Sequence, residues 1–374
     1  MLKSTCSVKD NKIASIQSLR ACAFLTVFIL HLEGATIGVW GVSVFFILSG
    51  FIMFYAYRNR NLESGFEKNI LFALRKIKKL YLLHIITMIL AVVIEVYMYF
   101  DYIAPNNVRD IYERIVLNTF LMQSWMPDQN IFFSLNGVSW YLSTILFLYF
   151  MFPYIINRVK KYNSIFVSFI KIAMILSVQI LVGIILGRLN ATEEIAKWVT
   201  YIMPIYRIGD FYIGMVIGYI FINKKCLFDS LSKPYFGIFI SAVEVLILVL
   251  TVIANKIYDD SLGVPGSIYF KFTLLYTPLS TMAVYLFALN KGIISKLLTN
   301  KLVIYIGEIS GFAFITHFII ISYYNEFLYN KHFILSNSWT RFVICLGFTI
   351  LVSHILNDLS IRKNITKNST VCRI

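Results

Sequence analysis

Near the start of the chain stand two apolar stretches, IASIQSLRACAFLTVFILHL (residues 13–32) and IGVWGVSVFFILSGFIMFYAY (residues 37–57). A helix needs about 20 predominantly apolar residues to cross the hydrocarbon core of a bilayer, and each stretch has that length. The first stretch carries Arg20 and lacks a small-residue cleavage site, so it is predicted to be a retained span rather than a signal peptide. Together the two stretches predict a pair of membrane-spanning helices joined by a short loop.

The composition of the whole chain is that of a membrane protein. Hydrophobic residues make up 59% of the 374 residues and charged residues only 14%, whereas a soluble domain has about 25% charged residues. A globular core for that much apolar surface does not exist at this length, which excludes a soluble globular enzyme, and the composition also excludes a disordered protein. The five cysteines show no spacing typical of a metal site or a disulfide framework, so no metal is predicted.

Hydropathy and charge predict the same number of spans. Ten segments are long and apolar enough: residues 13–32, 37–57, 80–100, 138–156, 164–187, 200–222, 235–254, 268–289, 302–328 and 339–359. With a cytoplasmic N-terminus, 23 of the 34 basic residues fall in the six cytoplasmic segments and 6 in the five outer loops. This asymmetry follows the positive-inside rule, so both termini are predicted to be cytoplasmic. Residues 111–124, which are short and charged, are predicted to form an interfacial helix.

The predicted fold is therefore an all-α, polytopic transmembrane bundle of about ten spans. It forms a single membrane domain over residues 1–374, with no fused soluble domain. The net charge of +15 is explained by cytoplasmic loops and not by nucleic-acid binding.

Charged groups inside spans are costly, so each is a functional candidate. Arg20 and His31 are eleven residues apart on one predicted helix, which at about 100° per residue places them on the same face. They lie about 16 Å apart along the helix axis, with the imidazole near the outer end. A lone histidine at a helix end is alternatively an interfacial, hydrogen-bonded residue. Glu33 either orients this imidazole or is a solvated loop acid.

A basic run of Arg75, Lys76, Lys78 and Lys79 precedes the third span. Such a run is a common cytoplasmic flank, but seven basic residues in this one loop exceed what topology requires. Several cations at the start of a helix suit the phosphates of a nucleotide-bearing donor such as coenzyme A. We therefore favour a phosphate site over a simple topological flank.

Two other groups of intramembrane residues have both structural and functional interpretations. Arg207 and Asp210, three residues apart in the sixth span, are expected to be neighbours on one face, as a structural ion pair or as part of a site. His317 lies mid-span among apolar residues, where a packed imidazole is as plausible as a catalytic one. Nucleotide-binding, zinc-protease and serine-hydrolase motifs are absent from the sequence.

Six motifs follow one another along the chain. They are the Arg20-x10-His31 pair, GVSVFFILSGF at residues 41–51, the basic run 75–79, Trp140-Tyr141-Leu142 with Tyr149 and Pro153, Arg207 with Phe211 and Gly214, and Ser310 with Phe314 and His317. Each motif is weak alone, but the set and its order resemble the acyltransferase family 3 membrane proteins, which O-acylate bacterial surface carbohydrates. The resemblance covers residues 19–317, nearly the whole chain.

The chain departs from the family pattern at four positions. Ser43 replaces the usual aspartate, Ile145 stands where many members carry glutamate, Leu82 replaces a frequent proline, and Gly311 stands where tyrosine is common. Because two acids are missing, the partner of His31 is left open, and Glu33 is a candidate substitute.

The resemblance implies a multi-pass O-acyltransferase of the bacterial cytoplasmic membrane. The donor would be an acyl-CoA, with acetyl-CoA favoured, bound from the cytoplasm through the basic run 75–79. His31 would act as general base or carry the acyl group, and Arg20 would orient the donor. The resemblance places three further residues in or beside the site, Ser49, Arg207 and His317, and Trp140 is added as a supporting residue from its predicted position.

The resemblance also implies the acceptor. It would be a hydroxyl of a cell-surface polysaccharide, such as the lipopolysaccharide O-antigen or an exopolysaccharide, or of its lipid-linked precursor. Trp140, predicted to lie at the outer end of the fourth span, is expected to stack on this sugar. Acyl-CoA, the glycan and the bilayer are the expected partners, without nucleic acid or a permanently bound cofactor, and the oligomeric state is left open.

Functions of other classes are alternatives. A transporter or flippase for lipid-linked glycans would also use intramembrane charges, but it predicts paired half-helices or repeats, which the sequence does not show. A polysaccharide polymerase would need a large outer catalytic loop, and the longest outer loop, residues 101–137, is modest. A non-catalytic scaffold would not require Arg20 and His31 on one face.

Overall fold

The computed structural model describes residues 13–102, 108–162, 164–230, 234–260, 270–329 and 337–371. Within these ranges the chain is helical and contains no strand, and ten helices are long and apolar enough to cross a membrane. We number them α1 (Ala14–Glu33), α2 (Gly38–Tyr57), α3 (Phe66–Tyr102), α4 (Trp140–Val159), α5 (Ile165–Arg188), α6 (Pro204–Ser230), α7 (Pro234–Asp260), α8 (Thr277–Leu289), α9 (Lys301–Tyr324) and α10 (Ser338–Val371). The prediction of an all-α bundle of ten spans is confirmed.

Shorter helical segments join or extend the spans. They are Val108–Thr119, Gln123–Trp125 and Gln129–Phe132 before α4, Glu193–Lys197 and Trp198–Ile202 before α6, Lys271–Tyr276 before α8, Ile293–Leu298 before α9, and Asn325–Tyr329 after it. Three of them, Trp198–Ile202, Lys271–Tyr276 and Asn325–Tyr329, are π-helical and directly adjoin an α-helical segment or a span.

The third span is longer than hydropathy predicts. The predicted span began at residue 80, whereas α3 begins at Phe66 and continues through the basic run. Lysine and arginine have good helix propensity, so a run of them does not interrupt a helix. Hydropathy marks only the apolar part of such a helix and misses the basic turns that precede it.

The segment predicted as an interfacial helix lies along α3 instead. Its helix, Val108–Thr119, has 12 residues and is about 18 Å long, too short to span. At its end, the Thr119 carbonyl accepts a hydrogen bond from the Tyr81 hydroxyl at 2.9 Å, and the Asn118 carbonyl lies 2.9 Å from Nε2 of His84. Since Tyr81 and His84 belong to the middle of α3, the interfacial placement is wrong, and the segment re-enters the bundle.

The chain that follows this helix is mostly irregular, and its last residues before α4, 134–139, are buried. Its polar side chains bond to one another: the Asn118 amide donates to Ser134 at 2.8 Å, and the Ser139 hydroxyl donates to Asn118 at 3.1 Å. The Asn136 amide donates to the Ile315 carbonyl of α9 at 2.9 Å. Irregular backbone at membrane depth is tolerated only where protein or a water-filled cavity surrounds it. This network therefore closes the bundle between α3, α4 and α9.

Close backbone contacts place α1 and α2 at the centre of the bundle. A Cβ added to Gly50 would lie 1.9 Å from the Phe211 carbonyl oxygen, and one added to Gly214 would lie 1.9 Å from that of Ile47. Only glycine permits α2 and α6 to approach so closely. Gly307 likewise allows α9 to lie against Gln17 of α1, where an added Cβ would meet the backbone at 1.8 Å. Arg20 and His31 are consequently held between α2 and α9.

Candidate functional site

Arg20 lines a cavity of about 180 Å³ enclosed by α1, α2, α3, α4 and α9, here called the central cavity. Its polar lining includes Ser49 of α2, Tyr141 of α4 and Ser310 of α9. The hydroxyls of Ser49 and Tyr141 are 3.3 Å apart, and Nη1 of Arg20 donates to the Gln17 side chain at 3.3 Å. The cavity therefore combines the cations of Arg20 and Lys76 with several hydroxyl groups.

Gly311 of α9 leaves space beside the Arg20 guanidinium. A Cβ added at this glycine would lie 3.8 Å from Nη2 of Arg20 and 3.8 Å from Leu80, which are ordinary contacts. A tyrosine, the residue common at this position in the family that the chain resembles, would extend from this point toward the space that the central cavity occupies. The glycine thus keeps the central cavity open next to the cation.

A second cavity, of about 350 Å³, adjoins the central cavity because Arg20 and Ile52 line both. It lies at the end of the bundle where α1 begins and α2 ends, the end that the charge distribution assigns to the cytoplasm. Arg58, Asn59 and Arg60, which follow α2 directly, supply most of its remaining polar lining. We call it the basic cavity. In the sequence, these arginines had only counted toward the positive charge of a cytoplasmic loop.

The basic run 75–79 is divided between two faces of α3. Lys76 lines the central cavity, and its ammonium lies 4.4 Å from the centre of the Tyr57 ring. Arg75 and Lys78 line a different cavity, of about 640 Å³, and Lys79 is exposed. Successive helical residues are rotated by about 100°, so a continuous run cannot address one ligand on one side. Of the four predicted donor-binding residues, the structure brings only Lys76 to the central cavity.

His31 and His317 lie side by side, although 286 positions separate them in the chain. Their ring centroids are 5.3 Å apart, and Phe318 meets His31 edge-on at 5.3 Å. Nδ1 of the fully buried His317 lies 3.1 Å from the Ala313 carbonyl oxygen. Because a carbonyl only accepts, Nδ1 carries the hydrogen and Nε2 of neutral His317 offers a lone pair. Among the described residues, that Nε2 has no hydrogen-bond partner.

Three aromatic rings that line the central cavity pack together, and one of them contacts His317. Phe45, Tyr141 and Phe314 all line the cavity. The ring of Phe314 is 5.7 Å from that of Phe45, 5.1 Å from that of Tyr141 and 5.9 Å from that of His317. We call these three side chains the aromatic barrier. Neither His31 nor His317 lines the central cavity, and Phe314 is the ring of this barrier that contacts His317.

Glu33 has another partner. Its carboxylate pairs with Arg341 of α10 at 3.9 Å and is 39% exposed. Residues two apart on a helix are separated by about 200°, so Glu33 points away from the face that carries His31. The structure does not bring the candidate substitute acid to His31, and the imidazole contacts the rings of His317 and Phe318 instead.

Arg207 and Asp210 form a fully buried ion pair, with Nη1 2.5 Å from Oδ2. Nε of Arg207 donates to the Tyr201 carbonyl at 2.8 Å, and Oδ1 of Asp210 accepts from Gln179 at 3.3 Å and from Thr277 at 3.1 Å. These bonds join α5, α6 and α8. Buried charges are tolerated when they are paired and hydrogen-bonded in this way. The geometry favours the structural interpretation of this pair.

Trp140 is packed inside the protein. It is only 4% exposed, and its ring lies 5.0 Å from that of Tyr201 and 6.2 Å from that of Phe46. These are normal separations for packed aromatic pairs. The structure therefore places the ring away from any open surface on which a sugar would stack.

The structure adds residues that sequence reasoning did not assign to the site. Arg58 and Arg60 line the basic cavity, and Tyr141 lines the central one. Tyr141 stands inside a motif that supported the resemblance, which is the one available signal for it. In the ranges that the structure describes, no group of three or more His, Cys, Asp or Glu side chains is placed to hold a metal ion.

Comparison with known proteins agrees with this architecture. The family model described as an acyltransferase domain, acyltransferase family 3, matches residues 13–358. The acyltransferase MdmB of Streptomyces mycarofaciens is 30% identical over 166 residues, which are 40% of this chain and 41% of that protein. The chain thus matches less than half the length of this curated relative. No solved structure matches the chain. Because the family model covers nearly all of the sequence, the chain belongs to acyltransferase family 3.

Proposed function

We propose that this multi-pass membrane protein is an O-acyltransferase. It moves an acyl group, specifically an acetyl group, from cytoplasmic acyl-CoA to a hydroxyl of a cell-surface polysaccharide or of its lipid-linked precursor, in the bacterial cytoplasmic membrane. The observation that carries the proposal is the arrangement along α1. Arg20 lines two joined cavities at one end, and His31 lies against His317 near the other.

His31 is the general base in this reaction. It takes the proton of the acceptor hydroxyl as that oxygen attacks the thioester carbonyl carbon. The new C–O bond forms, the C–S bond breaks, and the departing thiolate takes up a proton from the imidazolium. General-base assistance of this kind contributes about 100- to 10,000-fold to a rate.

His317 positions that base. Its Nδ1 donates a hydrogen bond to the Ala313 carbonyl, so neutral His317 can make one further hydrogen bond, in which the Nε2 lone pair accepts. An N–H of the adjacent His31 ring is a suitable donor for it. Such a bond would fix which nitrogen of His31 is unprotonated and available as the base. His317 would then orient His31 by accepting a hydrogen bond, which is the role that a carboxylate has in other sites.

Arg20 holds the donor on its way to the histidines. A guanidinium has five N–H donors. One reaches Gln17, while Nη2 lies beside the space that Gly311 leaves open. Arg20 and His31 are about 16 Å apart along α1, so an extended arm bound at Arg20 directs its far end toward His31.

A label-transfer experiment tests the proposal. The purified chain in nanodiscs receives acetyl-CoA labelled in the acetyl group together with a lipid-linked glycan, and cells with and without the chain are compared by mass spectrometry of their envelope glycans. We expect label in the glycan and an added mass of one acetyl group in cells. Movement of unlabelled glycan across the bilayer without label transfer would favour a flippase and overturn the proposal.

A further inference from the structure

The basic cavity has the composition of a nucleotide site. Three arginines, Arg20, Arg58 and Arg60, line it together with the apolar side chains of Ile13, Ile16, Phe51 and Ile52. Arginine is well suited to phosphate because its planar fork donates two parallel hydrogen bonds. An apolar wall beside several phosphate ligands suits a planar base. At about 350 Å³, the cavity lies within the usual range for a small-molecule site.

The basic cavity also leads to the central cavity. Arg20 and Ile52 line both spaces, so the two adjoin at these side chains. From Arg58 to Ser49 is nine residues along α2, or about 14 Å. A ligand whose phosphates lie at Arg58 and Arg60 can therefore extend a thin arm past Arg20 to the hydroxyls of Ser49 and Tyr141.

The face of α3 that carries Arg75 and Lys78 has a different lining from that of the basic cavity. The cavity beside them is lined by Leu71, Leu74 and Phe120, which are large apolar side chains exposed on the outside of the bundle. This surface faces the region that lipid occupies around a membrane protein. Neither of its two cations lines the central cavity, with which this surface cavity shares only Ile77, whereas the basic cavity shares Arg20 itself with the central cavity.

We infer that the basic cavity binds the phosphates of the nucleotide-bearing donor through Arg58 and Arg60, with Arg20 at its inner end, and that the run at 75–79 does not form this site. The inference rests on the proposed function, because it takes acyl-CoA as the donor. It assigns the donor's phosphates to the end of α2 and the acyl arm to the passage beside Arg20.

Two variants with equal loss of charge compare the two locations. The first carries Arg58→Gln and Arg60→Gln, and the second carries Arg75→Gln and Lys78→Gln. Binding of coenzyme A and of adenosine 3′,5′-bisphosphate is measured by titration calorimetry on the full chain in phosphatidylcholine nanodiscs. We expect affinity to fall roughly tenfold for each arginine lost in the first variant, and less than about twofold in the second.

The controls separate phosphate binding from folding and from lipid binding. Arg58→Lys with Arg60→Lys keeps the charge and should recover part of the affinity, and acetyl-pantetheine, which lacks the nucleotide, should bind all variants alike. A loss of affinity in the Arg75/Lys78 variant alone overturns the inference. So does a first variant that binds coenzyme A normally but retains less phosphatidylglycerol, since that identifies a lipid headgroup site. Failure of wild-type protein to bind coenzyme A at all instead contradicts the donor of the proposed function.

Discussion

The two ends of α1 place their functional side chains in different surroundings. Arg20 lines two joined cavities, whereas His31 packs against the rings of His317 and Phe318. The aromatic barrier lines the central cavity, and its Phe314 ring contacts His317. In the proposed reaction, the donor-binding end is thus preformed, and the base is screened from the donor until the barrier moves. Such screening would limit wasteful hydrolysis of the thioester when no acceptor is present.

The strongest test of this difference removes the imidazole of His31. His31→Ala should lower acetyl transfer about 100- to 10,000-fold, because general-base assistance is lost. Coenzyme A affinity should change less than about twofold, since His31 is not among the residues that line the central and basic cavities. Label transfer and calorimetry measure the two effects. Full transfer activity in this variant would refute the role of His31.

A second test contrasts the fully buried Arg207 with Arg20, which lines two cavities. Arg207→Ala should destabilise the fold by about 3–5 kcal/mol, because Asp210 is left as an unpaired buried charge. The expected result is a lower melting temperature and poor recovery in detergent. Replacing Arg207 and Asp210 together with methionine and leucine should restore much of the stability. A stable Arg207→Ala protein that has lost only activity would assign Arg207 to the site instead.

The substitution Arg20→Ala tests the end of α1 that lines the two cavities. We expect the protein to fold normally and coenzyme A affinity to fall roughly tenfold, because one charged hydrogen-bond donor is lost from the cavity. Arg20→Lys should recover part of this affinity. Calorimetric titration and thermal melting curves distinguish a donor-binding role of Arg20 from a structural one. A melting temperature lowered as far as that of Arg207→Ala would indicate that Arg20 is structural.

The histidine pair is tested by His317→Gln, which keeps a polar side chain but removes the imidazole. Loss of one positioning hydrogen bond should reduce kcat about tenfold and leave KM nearly unchanged. An alternative role in packing predicts a lower melting temperature without this separation of kcat from KM. Steady-state kinetics and thermal unfolding of the same preparation distinguish the two.

The smallest effect concerns the aromatic barrier. Phe314→Leu keeps an apolar side chain but removes the ring that lies 5.9 Å from His317. We expect hydrolysis of acetyl-CoA without acceptor to rise about two- to fivefold, because water and donor reach the histidines more often. Release of free thiol measures it. Hydrolysis unchanged from wild type would show that these rings do not separate the two ends.

The sequence was sufficient for the architecture because membrane spans are long and apolar. All ten appear as helices near the predicted positions. The extended start of α3 was missed because its basic turns are not apolar. The re-entrant chain around Asn118 and Asn136 was missed because buried amides in a loop have the same composition as solvated ones. Only the hydrogen bonds to Ser134 and to α9 distinguish them.

The candidate site was predictable in part. The shared face of Arg20 and His31 follows from helix periodicity, which is a local property. The contact between His31 and His317 depends on how α1 packs against α9, and no local pattern encodes it. The division of the basic run was within reach of the sequence, because helix rotation separates Lys76 from Arg75 and Lys78. Arg58 and Arg60 become candidate ligand-binding residues only when the cavity that they line is known.

A structure of the chain with a non-transferable acetyl-CoA analogue tests the central claim most directly. We predict density for the phosphates against Arg58 and Arg60, for the pantetheine arm beside Arg20, and for the acyl end beyond a displaced Phe314, next to His31. Density for the nucleotide on the Arg75 and Lys78 face of α3, with no arm in the central cavity, would contradict it.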